Sequence, residues 1–531
     1  MEFLVLQKVM SELPSAHIPV AHWKIPNGIQ LADPTFNVSS RIDLLIGAEH
    51  FYRILYEKEM KRMTLGPELP MLINSAFGWI VTGKVSDARS NVVNCCLATA
   101  SDNLNIQLQK FWEIENNEER AAWSKEEQDS ENHFLKTFSR TEKGRYVVRL
   151  PKHINFNHMV GKSRAMALTR LQKMEKQLER NPKIRSQYNA FMQDYLDLGH
   201  MKEITIEELQ KEAMETCTKK FHYLPHHAVF KECSTTTKVR VVFDGSANTD
   251  SGFSLNDALL KGPIIQDALL SLLLRFRKHE VALVSDVEKM YRQVLVHVDD
   301  TGLQRIFYRF SLMEPIRVFE LSTVTYGLTP SSFLAIRVLH QLAADEGSKY
   351  PEATNAILND FYVDDYIGGA SGIDEAIQLQ KDLGILMKKG GFTLRKWCSN
   401  KPEVVVGIPT EQLGINLTVS FDVSPEEKVK SLGITWEPGV DQLRFYYDIT
   451  ASEQAWTRRS ILSSIAKLFD PLGLISPVIN VAKILMQELA LLNSGWDMPV
   501  PVEIEKKWKT FYSHMAKISE LKIQQFAFVS N

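Results

Sequence analysis

Two adjacent aspartates, Asp364 and Asp365, lie in the middle of the apolar and aromatic run DFYVDDYIGGA. Two short runs of this kind around a tight break predict a β-hairpin with both carboxylates near its turn. Carboxylates held side by side disfavour each other's ionised form unless a cation compensates their charge. An Asp-Asp dipeptide more often marks an exposed turn, so the surrounding sequence must decide between the two interpretations.

A third aspartate favours the cation over the exposed turn. Asp286 follows the apolar strand-like run 281–284, and the aromatic residue Tyr291 comes five positions later. Carboxylate oxygens are the ligands that Mg²⁺ or Mn²⁺ prefers. Two such ions about 3.5–4 Å apart would activate a 3′-hydroxyl and stabilise a leaving pyrophosphate. The sequence therefore predicts Asp286, Asp364 and Asp365 as metal ligands and as catalytic residues.

The overall composition is that of an ordinary globular protein. The 531 residues are 44% hydrophobic and 24% charged, and a chain of this length predicts about three domains. The formal net charge of −2 means that nucleic-acid binding would need local basic surface. Five cysteines without a C-x-x-C pair argue against a zinc knuckle and fit a reducing, intracellular compartment. No run of about 18 apolar residues predicts a membrane span.

The segment F-Y-V-D-D, residues 361–365, resembles the Y-x-D-D box of reverse transcriptases. Asp286 matches the first catalytic aspartate of that family. Tyr291 matches the aromatic residue that packs against the deoxyribose and excludes the 2′-hydroxyl of a ribonucleotide. The resemblance implies an RNA-directed DNA polymerase, a nucleotidyltransferase that uses two Mg²⁺ or Mn²⁺ ions. Its partners would be an RNA or DNA template with primer, and deoxynucleoside triphosphates.

Further motifs resemble the nucleotide-binding and primer-binding parts of the same family. The runs 223–231 and 238–246 predict a hairpin whose Lys231 and Arg240 match residues that contact the triphosphate, a contact that the planar guanidinium suits. The run 390–397 resembles the motif after Y-x-D-D, and the run 431–436 resembles the primer grip. The nucleotide-binding residues that these matches imply are Lys231, Arg240, Tyr291, Tyr326, Gly327 and Lys396. The implied primer-grip residues are Leu432, Gly433 and Trp436.

The motif Y-G-L-T-P-S-S-F, residues 326–333, departs from its relatives. They are closer to F/Y-G-L-x-S-S-P-F, so Pro330 comes early here and Ser332 stands where a proline would be. This departure supports an alternative function, a catalytically inactive relic that binds nucleic acid. The retained Asp286 and Tyr291 favour the enzyme.

The flanking segments resemble the BEL/Pao class of long-terminal-repeat retrotransposons. The runs that carry this resemblance are FWEIE (111–115), GRYVVRLP (144–151), SLNDALLKGP (254–263) and FDPLGLISPV (469–478). It implies a fragment of a Pol polyprotein, or a decayed copy. Its ribonuclease H and integrase parts would be further partners, and the location would be cytoplasmic, within virus-like particles.

The resemblance implies an α+β multidomain chain with a right-hand polymerase of fingers, palm and thumb. We expect a truncated, β-rich retropepsin-like remnant over 1–60 and a β then helical linker over 61–205. Fingers and palm would occupy 206–400, primer-grip hairpins 401–450, and a helical thumb 451–531.

Protease activity is not expected. The segment 43–48, D-L-L-I-G-A, resembles the end of a retropepsin-like protease, but no Asp-Ser/Thr-Gly turn precedes it, and Asp33 is followed by proline. Proline cannot supply the hydroxyl or the amide of such a turn.

The C-terminal segment carries a peptidase label in this family, and its aspartate Asp470 also precedes a proline. Amphipathic patterns over 458–468 and 478–492 predict two helices, which a polymerase thumb would supply, so we favour a thumb over a peptidase. We recognise no ribonuclease H with its four spaced carboxylates after it.

Overall fold

The structure is a computed structural model. It describes residues 14, 18, 20, 23, 25–26, 28–41, 54–55, 61–66, 69–83, 122–214, 220–230, 239–414, 419–420, 434–445, 447, 455–491 and 495–528. The chain divides into two compact units, Met1–Asn117 and Glu118–Asn531.

The first unit contains a small antiparallel sheet. Its strands, in the spatial order β1-β2-β3, are β1 (Arg62–Thr64), β2 (Met71–Ser75) and β3 (Gly78–Thr82). The core of this unit combines Trp23 with Leu65 and Leu72. Residues on both sides of position 60 thus share one hydrophobic core, and the boundary at 60 stays a prediction. The protease-like segment 43–48 lies outside the described residues.

The second unit begins with helices and short strands where we expected a linker. They are α1 (Lys125–Thr137), β4 (Ser139–Arg140), β5 (Tyr146–Val148), α2 (Phe156–Met159), α3 (Arg164–Glu179), α4 (Pro182–Asp197), β6 (Met201–Ile204) and α5 (Ile206–Met214). Helix α1 starts at a capping box, in which Ser124 and Glu127 bond each other's backbone amides and so satisfy N–H groups that the helix leaves free.

This helical segment belongs to the same core as the polymerase-like region. Phe134, Tyr146 and Val148 are at most 1% exposed and join the hydrophobic cluster that contains Leu283. Strand β5 pairs in parallel with the later strand β10 (Leu295–Val296). Burial of apolar side chains therefore spans position 205, and the boundary there stays a prediction.

The elements that follow continue the second unit. They are β7 (His226–Phe230), β8 (Val239–Phe243), α6 (Leu255–Ala258), α7 (Leu269–Phe276), β9 (Val281–Val287), α8 (Met290–Gln293), β10, α9 (Val298–Thr301), β11 (Arg305–Tyr308), β12 (Arg317–Leu321), α10 (Ser331–Glu346), α11 (Pro351–Asn359), β13 (Phe361–Tyr362), β14 (Asp365–Ala370), α12 (Ile373–Lys389) and β15 (Leu394–Ser399).

The central sheet of this unit has the order β13-β14-β9-β15 and is antiparallel throughout. Strand β9 is buried along its apolar run 281–284, which is what the sequence predicted. The buried faces of α10 and α12 complete the same hydrophobic cluster. The predicted β7–β8 hairpin is present, with His226 opposite Phe243. The sheet therefore holds the end of β9 and the β13–β14 turn side by side.

The C-terminal part combines a sheet with helices. Its elements are β16 (Val419–Ser420), β17 (Ile434–Glu437), β18 (Gln442–Phe445), α13 (Arg458–Ile465), α14 (Ser476–Leu491), α15 (Val502–His514) and β19 (Lys522–Gln524). Helices α13 and α14 lie where two helices were predicted. Strand β19 pairs with β18, so residues on both sides of the predicted boundary at 450 share one sheet. In the described part of the chain, no helix has the length and apolar character that a membrane crossing needs.

Candidate active site

The three aspartates of the sequence motifs come together at one end of the central sheet. Asp286 on β9 lies directly opposite Asp365 on β14, and directly opposed residues place their side chains on the same face with Cβ atoms roughly 5 Å apart. Asp364 occupies the two-residue turn between β13 and β14. The sheet register therefore collects carboxylates from two sequence segments, as predicted, while their catalytic role stays a prediction.

The turn that presents Asp364 is conformationally strained. Val363 has φ 56°, in the left-handed region that a β-branched residue rarely adopts and that costs about 1–3 kcal/mol. The turn is held from outside, because the Val363 N–H donates to Gln266 Oε1 at 3.0 Å and the Val287 N–H donates to the Asp364 carbonyl at 2.7 Å. The fold thus maintains a strained backbone beside the carboxylates, a feature that clusters at functional sites.

The electrostatics of the site disfavour three negative charges together. Desolvation, followed by the negative charge of Asp286, raises the pKa of Asp364 above its ordinary value. Desolvation and the charges of Asp364 and Asp286 likewise raise the pKa of Asp365, although part of Asp365 remains open to solvent. The buried Oδ1 atom of Asp286 has no hydrogen-bond partner among the described residues. The positive charge nearby therefore does not fully offset the three carboxylates.

One lysine supplies part of that charge. Lys396 Nζ lies 2.5 Å from Asp286 Oδ2. Lys396 sits at a bulge in β15, where the register with β9 shifts between Arg395 and Cys398, and its φ is 55°. Within the described ranges, no group of three or more His, Cys, Asp or Glu side chains is arranged to hold a metal ion. The carboxylates are thus gathered in one place but do not form a ready-made ligand set.

Tyr291 lies on the short helix α8, directly after β9. Its ring centroid is 6.5 Å from that of Tyr326 in an edge-on arrangement, and its hydroxyl lies 3.1 Å from Ser332 Oγ at the start of α10. Tyr291, the residue predicted to exclude the 2′-hydroxyl of a ribonucleotide, therefore contacts Tyr326 and Ser332, which both belong to the motif 326–333.

Tyr326 and Gly327 connect the loop before α10 to strand β8. The Tyr326 hydroxyl donates a hydrogen bond to the Val241 carbonyl. Gly327 has φ +96°, and a Cβ there would lie 2.3 Å from the Phe243 carbonyl oxygen. Only glycine fits such a close approach of two backbones. Both residues thus hold the loop before α10 against strand β8, a structural role that their motif alone did not indicate.

Two basic residues were predicted to contact the triphosphate. Arg240 on β8 is exposed, and its positive charge contributes to lowering the pKa of both Asp364 and Tyr326 against the larger effect of burial. The positive charge of Arg240 therefore acts on Asp364, as expected of a residue that would contact a triphosphate bound beside it. Lys231 lies outside the described residues.

Of the predicted primer-grip residues, Trp436 is the one that the structure describes, and its primer-grip role stays a prediction. Trp436 on β17 is 0% exposed, its ring packs edge-on against Phe276 at 5.3 Å, and its Nε1–H donates to Asp441 Oδ1 at 3.1 Å. Trp436 is therefore a core residue. Leu432 and Gly433 lie outside the described residues.

The structure also shows supporting residues that the sequence did not single out. Asp194 on α4 binds Arg292 at 3.1 Å and Lys289 at 3.3 Å, and the Arg292 guanidinium lies over the Tyr195 ring at 4.6 Å. These contacts fasten α8, and with it Tyr291, to helix α4. A basic residue on each side of Tyr291 was the signal in the sequence, but nothing there indicated Asp194 as their partner.

Asp33 and Asp470, the two aspartates that precede prolines, accept hydrogen bonds from nearby residues. Asp33 Oδ1 accepts bonds from the amide and the hydroxyl of Thr35, each at 2.8 Å. Asp470 accepts the backbone amides of Leu474 and Ile475 at 2.8 and 2.7 Å. Both aspartates thus stabilise local turns.

Two comparisons with known proteins found similarity, one to a family model over the C-terminal segment and one to a solved structure. Residues 457–530 match a family model described as the Pao retrotransposon-like RNaseH-like domain. Among solved structures, the chain is similar to the foamy viral protease-reverse transcriptase dRH in complex with ds DNA, with 13% identity and a TM-score of 0.38. That match covers 61% of this chain and 46% of the other, so the chain matches less than half of that protein's length. No curated protein matches the sequence significantly.

The family match shows that residues 457–530 are similar to the RNaseH-like domain of Pao retrotransposons. The assignment of the remaining chain to a Pao/BEL-type Pol sequence, which its motifs implied, stays a proposal. The match also corrects one expectation, because the segment after residue 457 is related to ribonuclease H although we recognised no such segment there. In the structure this segment forms α13, α14, α15 and β19.

Proposed function

We propose that this protein is an RNA-directed DNA polymerase that extends a primer on an RNA or DNA template with deoxynucleoside triphosphates. The observation that carries the proposal is the register of the central sheet, which sets Asp286 opposite Asp365 with Asp364 in the adjoining turn. Three carboxylates gathered beside a single lysine favour binding of a further cation.

The residues present fit two divalent ions. Asp286 and Asp364 would hold Mg²⁺ or Mn²⁺, with Asp365 in support, since carboxylate oxygens suit these hard cations. The unpartnered Asp286 Oδ1 and the raised pKa values of Asp364 and Asp365 favour this fit. When bound, the ions would supply a more acidic 3′-hydroxyl and charge for the leaving pyrophosphate.

The side chains around the carboxylates would bind and orient the nucleotide. Arg240 would engage the triphosphate from β8, and Lys396 would exchange Asp286 for a phosphate oxygen. Tyr291 would pack against the sugar and reject a 2′-hydroxyl. In this proposal the sheet fixes the carboxylates, while the basic residues approach from the strands beside them.

The proposal extends to the C-terminal segment and to the surroundings of the protein. Helices α13, α14 and α15, which follow the β17–β18 hairpin, lie in the segment that matches the RNaseH-like family model, so we propose a ribonuclease H-like part there in place of the expected thumb. The ribonuclease H and integrase parts of the polyprotein would be partners, and the protein would act in the cytoplasm, within virus-like particles. No protease activity is expected.

Primer extension tests the proposed activity. Purified protein should extend a primer on RNA and DNA templates with Mg²⁺ or Mn²⁺, and chelation should stop extension. Asp286→Asn and Asp364→Asn should each lower the rate at least about 10³-fold, because a metal ligand contributes several kcal/mol to charge stabilisation. Asp374→Asn, at an exposed aspartate in the first turn of α12, is the matched control and should extend normally.

A second function, a catalytically inactive protein that binds nucleic acid, is favoured by two observations. Lys396 already neutralises Asp286, and the described residues include no preformed set of three metal ligands. This function predicts that the protein binds a primer-template duplex but does not extend it with either metal. A gel-shift assay on the same preparations separates the two functions.

A further inference from the structure

Ser332 is the residue at which the nucleotide-pocket motif departs from its relatives. It lies in the first turn of α10, and its side chain is exposed. Its Oγ atom is 3.1 Å from the hydroxyl of Tyr291, 41 positions earlier in the chain. Proline has no hydroxyl, so this contact exists only because serine replaces the family residue.

The neighbouring serine shows that the contact is not needed for the local fold. Ser331 is 2% exposed, and its hydroxyl donates to the Thr325 carbonyl at 2.5 Å, which fastens the loop before α10. Ser332 points instead toward α8, where its partner is a side chain on a different element. One serine therefore supports the backbone, and the other contacts the residue proposed to test the sugar.

A hydrogen bond to the phenol constrains the position of the tyrosine ring. The hydroxyl is the atom farthest from the Tyr291 backbone, so a change of its χ1 rotamer moves that atom the most and breaks the bond. The edge-on contact with Tyr326, with centroids 6.5 Å apart, bounds the ring on another side. Both contacts favour one ring position over the alternatives.

We propose that Ser332 is a positioning residue that holds Tyr291 where it excludes the 2′-hydroxyl of a ribonucleotide. The inference rests on the proposed polymerase function and specifies how this chain selects its substrate. Rejection of a competitor depends on a clash that cannot relax. If the Tyr291 ring rotated, it would move away from the 2′-hydroxyl and relieve the clash. The hydrogen bond to Ser332 opposes this rotation.

The test compares kcat/KM for a deoxynucleotide and the matching ribonucleotide on one primer-template. Ser332→Ala and Ser332→Pro should each lower the discrimination ratio about threefold to tenfold, as expected for the loss of one hydrogen bond. Proline is compatible with the first turn of a helix, so Ser332→Pro is expected to fold. Ser332→Thr keeps the hydroxyl and should keep the ratio. Tyr291→Ala should lower the ratio most, because it removes the ring.

The mechanism also predicts a dependence between the two residues. Tyr291→Phe keeps the ring but removes the hydroxyl, so adding Ser332→Ala to Tyr291→Phe should change the ratio no further. Ser371→Ala, at an exposed serine just beyond β14, is the control and should behave as wild type. A primer lacking a 3′-hydroxyl provides a readout without turnover, because the affinity of its complex for each nucleotide should show the same loss of discrimination.

The outcomes separate failure of this inference from failure of the proposed function. An unchanged ratio in Ser332→Ala, while Tyr291→Ala loses discrimination, overturns the role of Ser332 and leaves the polymerase intact. Equal effects of Ser332→Ala with and without the Tyr291 hydroxyl also overturn it. If wild-type protein extends no primer with Mg²⁺ or Mn²⁺, the proposed function fails, and the role of Ser332 fails with it.

Discussion

Two aspartates of the second unit each lie 2.5 Å from a lysine, yet their surroundings differ. Asp300 is completely buried, and its two oxygens accept Lys152 at 2.5 Å, Arg149 at 3.2 Å and the Leu150 amide at 3.1 Å. Asp286 binds Lys396 through Oδ2 alone, and its Oδ1 has no partner in the described part of the chain.

The difference also appears in the pKa values. Burial alone would raise the pKa of Asp300, but its bonds to Lys152 and Arg149 outweigh burial and hold the pKa below its ordinary value. Beside Asp286, burial and the neighbouring carboxylates outweigh the positive charge of Lys396, so the pKa values of Asp364 and Asp365 are raised. A carboxylate with saturated oxygens fastens elements together, whereas carboxylates in excess of their cations are suited to binding.

The largest expected effect contrasts the two aspartates directly. Asp300→Ala should lower the free energy of unfolding by about 1.5–3 kcal/mol, because it removes the charged hydrogen bonds of Lys152 and Arg149, while Arg149 keeps its ion pair with Asp299 at 3.3 Å. Asp286→Ala should change it by less than about 1 kcal/mol, since it relieves repulsion while losing a partly exposed pair. Urea denaturation followed by tryptophan fluorescence measures both, and equal losses would refute the contrast.

The pH dependence of stability should have opposite signs at the two sites. Asp300 has a lowered folded pKa, so its contribution is present above the unfolded value of about 3.9 and is lost as the pH falls through the lower folded value. Asp364 and Asp365 have raised folded values. Their contribution is present below about pH 3.9 and is lost as the pH rises, up to about 8 for Asp365.

Melting temperatures at pH 5 and pH 8 test these signs. Asp365→Asn should reduce the loss of Tm between the two pH values, because the neutral amide does not ionise. Added Mg²⁺ should raise the Tm of the wild type more at pH 8 than at pH 5, since ionised carboxylates bind it better. A Mg²⁺ effect that is larger at pH 5 would contradict the proposed ligands.

Lys396 offers a smaller test, because it occupies a carboxylate that a metal ion would use. Lys396→Met should tighten Mn²⁺ binding about fivefold, the equivalent of a half-exposed ion pair worth about 1 kcal/mol. Isothermal titration without nucleotide measures the affinity. Lys388→Met, at an exposed lysine near the end of α12, should bind Mn²⁺ as wild type does. Weaker binding after Lys396→Met would show that the lysine assists the metal.

The smallest expected effect concerns the strained turn. Val363→Asn should raise the free energy of unfolding by about 1 kcal/mol, because asparagine tolerates the left-handed conformation that costs valine about 1–2 kcal/mol. Val406→Asn, at an exposed valine outside the positive-φ set, should be neutral. Denaturation curves compare the two variants, and a destabilised Val363→Asn would mean that packing of the valine outweighs its strain.

The local sequence pattern correctly predicted the strand and the hairpin that carry the three aspartates. The apolar run before Asp286 predicted strand β9, and the paired runs around Asp364 predicted the β13–β14 hairpin. Contacts between distant segments were not predictable, because periodicity carries no information about partners. The Lys396–Asp286 pair joins residues 110 positions apart, and Ser332 reaches Tyr291 across 41.

The same limit applies to the domain boundaries and to the burial of Trp436. The predicted limits at 60 and 205 fall at changes of local pattern, but Trp23 packs with Leu72, and Val148 shares a core with Leu283. Trp436 was assigned from its motif, whereas its burial depends on Phe276, 160 positions earlier. Burial is a property of the assembled chain, so these residues could not be placed from the sequence alone.

The pairing of β5 with β10 has a consequence for synthesis of the protein. Lys152 and Asp300, which lie beside that pair, are 148 residues apart. A ribosome that adds about 5–20 residues per second needs roughly 7–30 s to make the intervening chain. During that time Phe134 and Tyr146 have emerged, but their partner surfaces do not yet exist. Folding of the second unit must therefore wait for β10, and the nascent helical segment is where we expect a chaperone to bind.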